Sequence, residues 1–172
     1  WWDYGYWITN MANKTTLCDN GTQNMTQIAR VGEMFMSNET HALGILKRYN
    51  AKYVVVFTTF YVTQDTSTGQ TQIVYRGWGD EGKWQWMAKI AGLNYTEFGV
   101  WEQGSWSDWS EKGKATVLYK LMTYGRDMRL YYEQYKSEPD EATLESYKEY
   151  YNLEHFNLAY FSKGARVGGV FI

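Results

Sequence analysis

Apolar residues recur at helical spacing in several separate stretches of this chain, and that periodicity confines it to a helix-rich fold. Ile28, Val31, Met34 and Phe35 fall three and four apart and predict a helix over 26–36. Asn38 before Glu39 reads as the cap of a second helix carrying Leu43, Ile45 and Leu46 to Tyr49. The pattern returns from 111 to 136, broken or bent near Gly125. Ser137-Glu138-Pro139-Asp140 then separates it from a last helix over 141–152, which places Tyr147, Tyr150 and Tyr151 on one face. The β-branched run Tyr53-Val54-Val55-Val56-Phe57 reads as a buried central strand, and Gln72-Ile73-Val74-Tyr75 returns to pair near Phe60 after a turn over 65–69. Residues 6–23 read as loop with a short strand near 15–18, residues 101–111 as loop, and 156–161 and 167–172 as closing strands joined by a turn at Lys163-Gly164. No repeat or linker divides the chain. The expectation is a mixed α/β fold of the α+β kind, a helix-rich single globular domain around a small β-sheet, over residues 1–172.

With 172 residues, 44% of them apolar, the chain can bury a substantial core. A net charge of −2 from intermixed signs leaves no basic stripe for a phosphate backbone, so nucleic acid is excluded as a partner. No apolar run approaches the roughly 20 residues that span a bilayer, and nothing reads as a signal peptide. The chain has no initiating Met, so it is expected to be part of a longer polypeptide. Cys18 is its only cysteine, which rules out an intrachain disulfide, and His41 and His155 lack ligand spacing, so no metal site is expected.

Aromatic residues make up 19% of the chain, enough to line a surface as well as a core. Five of the Asn residues, Asn13, Asn20, Asn24, Asn38 and Asn94, open Asn-x-Thr triplets, where chance would place about one. The excess fits a glycosylating compartment. Asn-x-Thr also suits helix caps and turns, and both readings stand.

The opening residues Trp1-Trp2-Asp3-Tyr4-Gly5 carry the most legible chemistry. Each indole donates one hydrogen bond and an ionised Asp only accepts, so one hydroxyl could take a bond from each indole and donate to the carboxylate. Aromatics at such a place can equally cover a core. Downstream, Asp80 follows Gly77 and Gly79 and reads as the cap of a helix that places Lys83, Met87 and Ile90 on one face. Met87 there is a core residue by helical spacing alone.

Trp1-Trp2-Asp3-Tyr4-Gly5-Tyr6, followed by Asn13-Lys14-Thr15-Thr16-Leu17 and Asp19-Asn20, resembles the start of the soluble domain of the oligosaccharyltransferase catalytic subunit, in its archaeal and eukaryotic branches. Asp80-Glu81-Gly82-Lys83-Trp84-Gln85-Trp86-Met87 fits that family's DxxKxxxM pattern, in the right order. The resemblance implies transfer of an oligosaccharide from a dolichyl phosphate or diphosphate donor to the Asn of Asn-x-Ser/Thr. It further implies that Trp1, Trp2 and Asp3 bind the Ser or Thr hydroxyl, with Tyr4 and Gly5 shaping the turn. Met87 would touch the Thr methyl, and Asp80 and Lys83 would support the pocket. A divalent cation, Mn or Mg, and the catalytic acids would belong to a multispanning membrane region outside this chain, which leaves the chain itself without catalytic residues. The implied partners are an acceptor polypeptide and, through that membrane region, a lipid-linked oligosaccharide. The implied location is the extracytoplasmic face, the cell exterior in an archaeon or the endoplasmic reticulum lumen in a eukaryote; the domain's short length favours an archaeon.

Two other classes compete. Trp101, Trp106 and Trp109 could stack on sugars in an aromatic-rich carbohydrate-binding module, although such modules are usually β-sandwiches. Glu97 and Glu102 could serve as the carboxylate pair of a glycoside hydrolase, with no spacing rule to bring them together.

Overall fold

The computed structural model describes residues 1–163, 166–167 and 170–171. In chain order the elements are α1 (Gly5–Ala12), α2 (Met25–Phe35), α3 (Glu39–Arg48), β1 (Phe60–Gln64), β2 (Thr71–Tyr75), α4 (Trp84–Ile90), β3 (Gly99–Glu102) and β4 (Ser105–Trp109). There follow α5 (Glu111–Lys114), α6 (Val117–Tyr135), α7 (Glu141–Tyr150), β5 (Arg166–Val167) and β6 (Val170–Phe171). The fold is mixed and helix-rich with small antiparallel sheets, as the periodicity implied. Its residues group into two compact units, Trp1–Val56 with Trp84–Lys120, and Phe57–Lys83 with Leu121–Ile172.

In the first unit, α2 carries Ile28, Val31, Met34 and Phe35 inward, the stripe that the sequence displayed. Asn24 caps α2 by accepting from the Gln27 amide, and Asn38 caps α3 by accepting from the His41 amide at 2.9 Å. Residues 101–111 are not a loop: β3 and β4 form a hairpin whose two-residue turn has Gln103 at φ 51° and Gly104 at φ 80°. Both positive angles suit the twist of a hairpin. Trp84 of α4 is the hub, with Trp106 and Trp109 at 5.6 and 4.9 Å between ring centroids, and Trp109 meets Tyr119 at 5.5 Å. Aromatic pairs of this kind add about 0.5–1.5 kcal/mol each beyond their buried area. Trp84 and Trp109 are buried in this cluster, and Trp106 packs on both while half-buried. Glu39 and Lys120, both largely buried, pair at 2.9 Å.

In the second unit the strands run β2-β1-β6-β5. Phe60 pairs with Tyr75 on one side and Phe171 on the other, and the rings of Phe60 and Phe171 stack at 5.0 Å. The hairpin predicted from 72–75 and Phe60 is present, with its turn at Asp65. Tyr124, Met128 and Leu153 form the helical core, covered by Leu144, Tyr147, Tyr151, Phe156, Leu158 and Phe161. Asp140 caps α7 by accepting from the Thr143 amide.

Several expectations give way. Residues 53–57 form no strand, and Tyr53 is 77% exposed. Residues 6–12 lie in α1 instead of loop, and no strand forms at 15–18. The helical stretch is not broken at Gly125; α6 runs through it, and the interruption lies between α5 and α6. Tyr147 and Tyr151 face the core while Tyr150 is 78% exposed, so they do not share a face. Residues 156–161 pack as irregular chain. Gly164 of the expected last turn lies outside the described residues, as do 168, 169 and 172 of the last strand.

Candidate functional site

The opening motif forms a 3-10 turn, Trp2–Tyr4, that runs directly into α1. The Tyr4 amide closes it by donating to the Trp1 carbonyl at 3.2 Å. Trp1 is buried and meets Trp2 and Phe35 edge-on at 6.5 and 6.4 Å, while Trp2, Asp3 and Tyr4 are half-buried. Asp3 sits just before the first amides of α1, where a carboxylate is favoured.

Gly5 works differently from the expectation. Shaping a turn would call for backbone angles that other residues resist, but its φ of −57° and ψ of −44° are ordinary helix. What it supplies is room: a Cβ there would lie 2.0 Å from the Cys18 carbonyl oxygen and 2.8 Å from Asp19 Cα. The chain over Cys18-Asp19 thus crosses the start of α1 at contact distance. Thr16 and Thr9 hydroxyls, 3.1 Å apart, tie the same strap to α1. Burial pushes the Cys18 thiol up to about 11.

Met87 lies on α4 with no exposed surface. Its carbonyl oxygen would be 2.7 Å, and the far edge of Trp1 3.3 Å, from a Cβ built on Gly32 of α2. One missing methyl therefore lets α2 approach α4 with Trp1 alongside. Gly32 was not singled out from the sequence, although a Gly amid the apolar stripe of α2 is the kind of signal that marks close helix contact.

Asp80 and Lys83 belong to the second unit. Asp80 is not a helix cap: Gly79 holds that place, and residues 80–82 are a 3-10 turn ahead of α4. The Asp80 carboxylate is fully buried and accepts from the Phe57 amide at 2.8 Å. Lys83, half-buried, ends the 3-10 turn and lies just ahead of α4, which begins at Trp84. The residue that sequence reasoning passed over is Glu81, 2% exposed. One of its oxygens accepts from the Thr59 amide and hydroxyl and from the Gly77 and Gly79 amides, at 2.5 to 3.2 Å. The legible trace of this arrangement is the alternation Gly77-Trp78-Gly79-Asp80-Glu81-Gly82. A Cβ at Gly79 would meet the Phe57 carbonyl at 2.4 Å, and one at Gly82 the Gly77 carbonyl at 2.1 Å.

No group of three or more His, Cys, Asp or Glu among the described residues is placed to hold a metal, and the buried Asp80 and Glu81 carboxylates are turned toward backbone donors. The residues present do not fit the implied divalent cation. His41 bonds Glu33 at 2.8 Å. Glu97, considered as a hydrolase acid, is held below its usual range by a hydrogen bond from Lys112, which suits an ion pair and not a proton donor. No helix among the described residues is long and apolar enough to cross a membrane.

Comparison with known proteins gives the class, that of an oligosaccharyltransferase core domain. Residues 1–95 match the family model described as the STT3/PglB/AglB core domain, and the chain belongs to that family. It is 32% identical over 176 residues to the dolichyl-diphosphooligosaccharide–protein glycosyltransferase subunit stt-3 of Caenorhabditis elegans, covering 91% of this chain and 21% of that protein. It is 33% identical over 141 residues to subunit STT3 of Saccharomyces cerevisiae, covering 81% of this chain and 17% of that protein. Subunit STT3B of Arabidopsis thaliana is 37% identical over 95 residues, 54% of this chain and 11% of that protein. The chain thus spans about a fifth of the length of the first two relatives.

Proposed function

We propose that this chain is the acceptor-recognition part of a dolichyl-linked oligosaccharide–protein glycosyltransferase, and that Trp1, Trp2 and Asp3 read the hydroxyl of Ser or Thr in Asn-x-Ser/Thr. The observation that carries the reading is the family match, which spans both the opening motif and the Asp80–Met87 segment. The geometry is compatible with it. Trp2 and Asp3 are half-buried on a turn backed by buried Trp1, which keeps two indole donors and one acceptor within a short stretch of rigid chain. A site built to bond a hydroxyl loses those bonds when the acceptor lacks one, and a site of this kind can discriminate by several powers of ten.

Met87, fully buried beside Trp1 across Gly32, has no surface for the Thr methyl to touch, so its part in the Thr preference, about 1 kcal/mol, is to back Trp1. Asp80 and Lys83 support the segment that leads to it. In this reading the divalent cation, the catalytic acids, the lipid-linked donor site and the membrane attachment lie in the polypeptide beyond this chain, and the chain alone is inactive. It faces the extracytoplasmic side.

The test is glycan transfer by the full-length protein to peptides bearing Thr, Ser or Ala two residues after Asn. Transfer to Thr and Ser only, lost in Asp3→Ala, is the expected result, with Met87→Ala narrowing the preference for Thr over Ser. Retention of activity and Thr preference in Asp3→Ala would overturn the assignment.

A further inference from the structure

The segment just before Asp80 displays a second set of polar and aromatic side chains that the hydroxyl reading does not use. From 76 to 80 every backbone amide is bound from inside the second unit. Arg76 donates to the Thr59 carbonyl at 3.0 Å, Gly77 and Gly79 to Glu81, Trp78 to the Thr59 hydroxyl at 3.3 Å, and Asp80 to the Phe57 carbonyl at 2.6 Å. With its amides held by the buried Glu81 and Thr59 and by the Phe57 carbonyl, the loop is fixed from behind, and Gly77 at φ 76° makes the turn between Arg76 and Trp78.

Arg76 and Trp78 are both exposed, Trp78 by 53%. The Arg76 guanidinium lies 5.2 Å from the Trp78 ring centroid and 5.5 Å from that of Tyr61. Tyr61 is on the opposite face of β1 from the core residue Phe60. No carboxylate among the described residues pairs with Arg76. A guanidinium held by two rings keeps its N–H edge for a planar oxyanion, and the half-exposed indole beside it offers a face to the apolar side of a sugar ring.

We propose that Arg76, Trp78 and Tyr61 form a binding site for an oxyanion-bearing sugar: the oxyanion accepts a bidentate pair from Arg76 while the ring packs on Trp78. This site lies wholly in the second unit and does not rest on the hydroxyl reading. Lysine would serve less well than the arginine, since an ammonium presents a point charge without the fork.

The experiment is a titration of the ¹⁵N-labelled protein, following the Trp78 indole N–H, assigned through Trp78→Phe, and the Arg76 Nε–H. Probes are glucuronic acid, glucose 6-phosphate, glucose and inorganic phosphate. Glucuronic acid and glucose 6-phosphate should shift both signals saturably, and their relative affinities decide whether the site prefers a carboxylate or a phosphate ester. Glucose should leave the signals in place, and inorganic phosphate should bind roughly tenfold more weakly, which is about 1.4 kcal/mol. Arg76→Gln should abolish the response with the remaining amide spectrum unchanged, and Arg76→Lys should weaken it several-fold. The proposal is overturned if the acidic sugars cause no shift, if glucose shifts the signals equally, if the shifts survive in Arg76→Gln, or if inorganic phosphate binds as tightly as glucose 6-phosphate.

Discussion

The two motif segments are held in place by different physics. Trp1–Gly5 is positioned by contact, with Gly5 pressed against Cys18-Asp19 and Trp1 against Gly32 and Phe35. Residues 76–83 are positioned by hydrogen bonds to two buried carboxylates, Asp80 and Glu81. Contact of this kind tolerates changes of charge but not an added atom. A loop wired to a carboxylate tolerates changes in its outward side chains but not loss of the acceptor, because buried amides then go unpaired.

The sharpest way to break the comparison is Gly5→Ala. Its methyl would collide with backbone at Cys18, which cannot move aside as a side-chain end can, so we expect a loss of about 3 kcal/mol or more in urea denaturation. Gly44→Ala is the matched control. It lies in α3 with nothing near its missing Cβ, and should gain about 0.5–1 kcal/mol from helix propensity alone. Equal midpoints for the two variants would remove the contact argument.

Glu81→Gln comes next in size. The amide oxygen can still accept but without charge, so we expect a loss of about 1–2 kcal/mol, and larger for Glu81→Ala. Hydrogen exchange should quicken at Gly77 and Gly79 and stay unchanged in α1. Exchange that rises evenly over both segments would show that they are not held separately.

The smallest effect is a titration that reports the packed strap at Cys18. Burial raises the folded thiol to about 11, above an unfolded value of about 8.5. The contribution to stability is therefore complete below the unfolded value and is lost as pH rises through the folded one. Iodoacetamide alkylation of the folded protein should climb with a midpoint near 11. A midpoint in the ordinary thiol range would show that the strap does not cover the sulfur.

What could be seen in the residues alone follows from whether the signal is local. The stripe of α2, the Asn38 cap, the β1–β2 hairpin and the break ahead of α7 all depend on neighbours within a few positions, and all are present. The hairpin β3–β4 was also local, but an unfamiliar Gln-Gly turn and a bulge between Val100 and Trp101 hid its alternation. The run 53–57 failed for the opposite reason: its strand propensity was real, but propensity alone does not make the pairing that defines a strand, and these residues pair with none among those described.

By itself the sequence determined the mixed, helix-rich class, the two motifs and, through them, the family, because composition, period and motif order are properties of the linear chain. Only the tertiary structure decided that Gly5 and Gly32 are spacers between backbones, that Asp80 and Glu81 are buried acceptors, and that Arg76 is left facing outward. Each of those roles is set by what lies across space from the residue: Cys18, Met87, Phe57, Thr59 and Tyr61 are remote in the chain, and no local pattern encodes the distance to them.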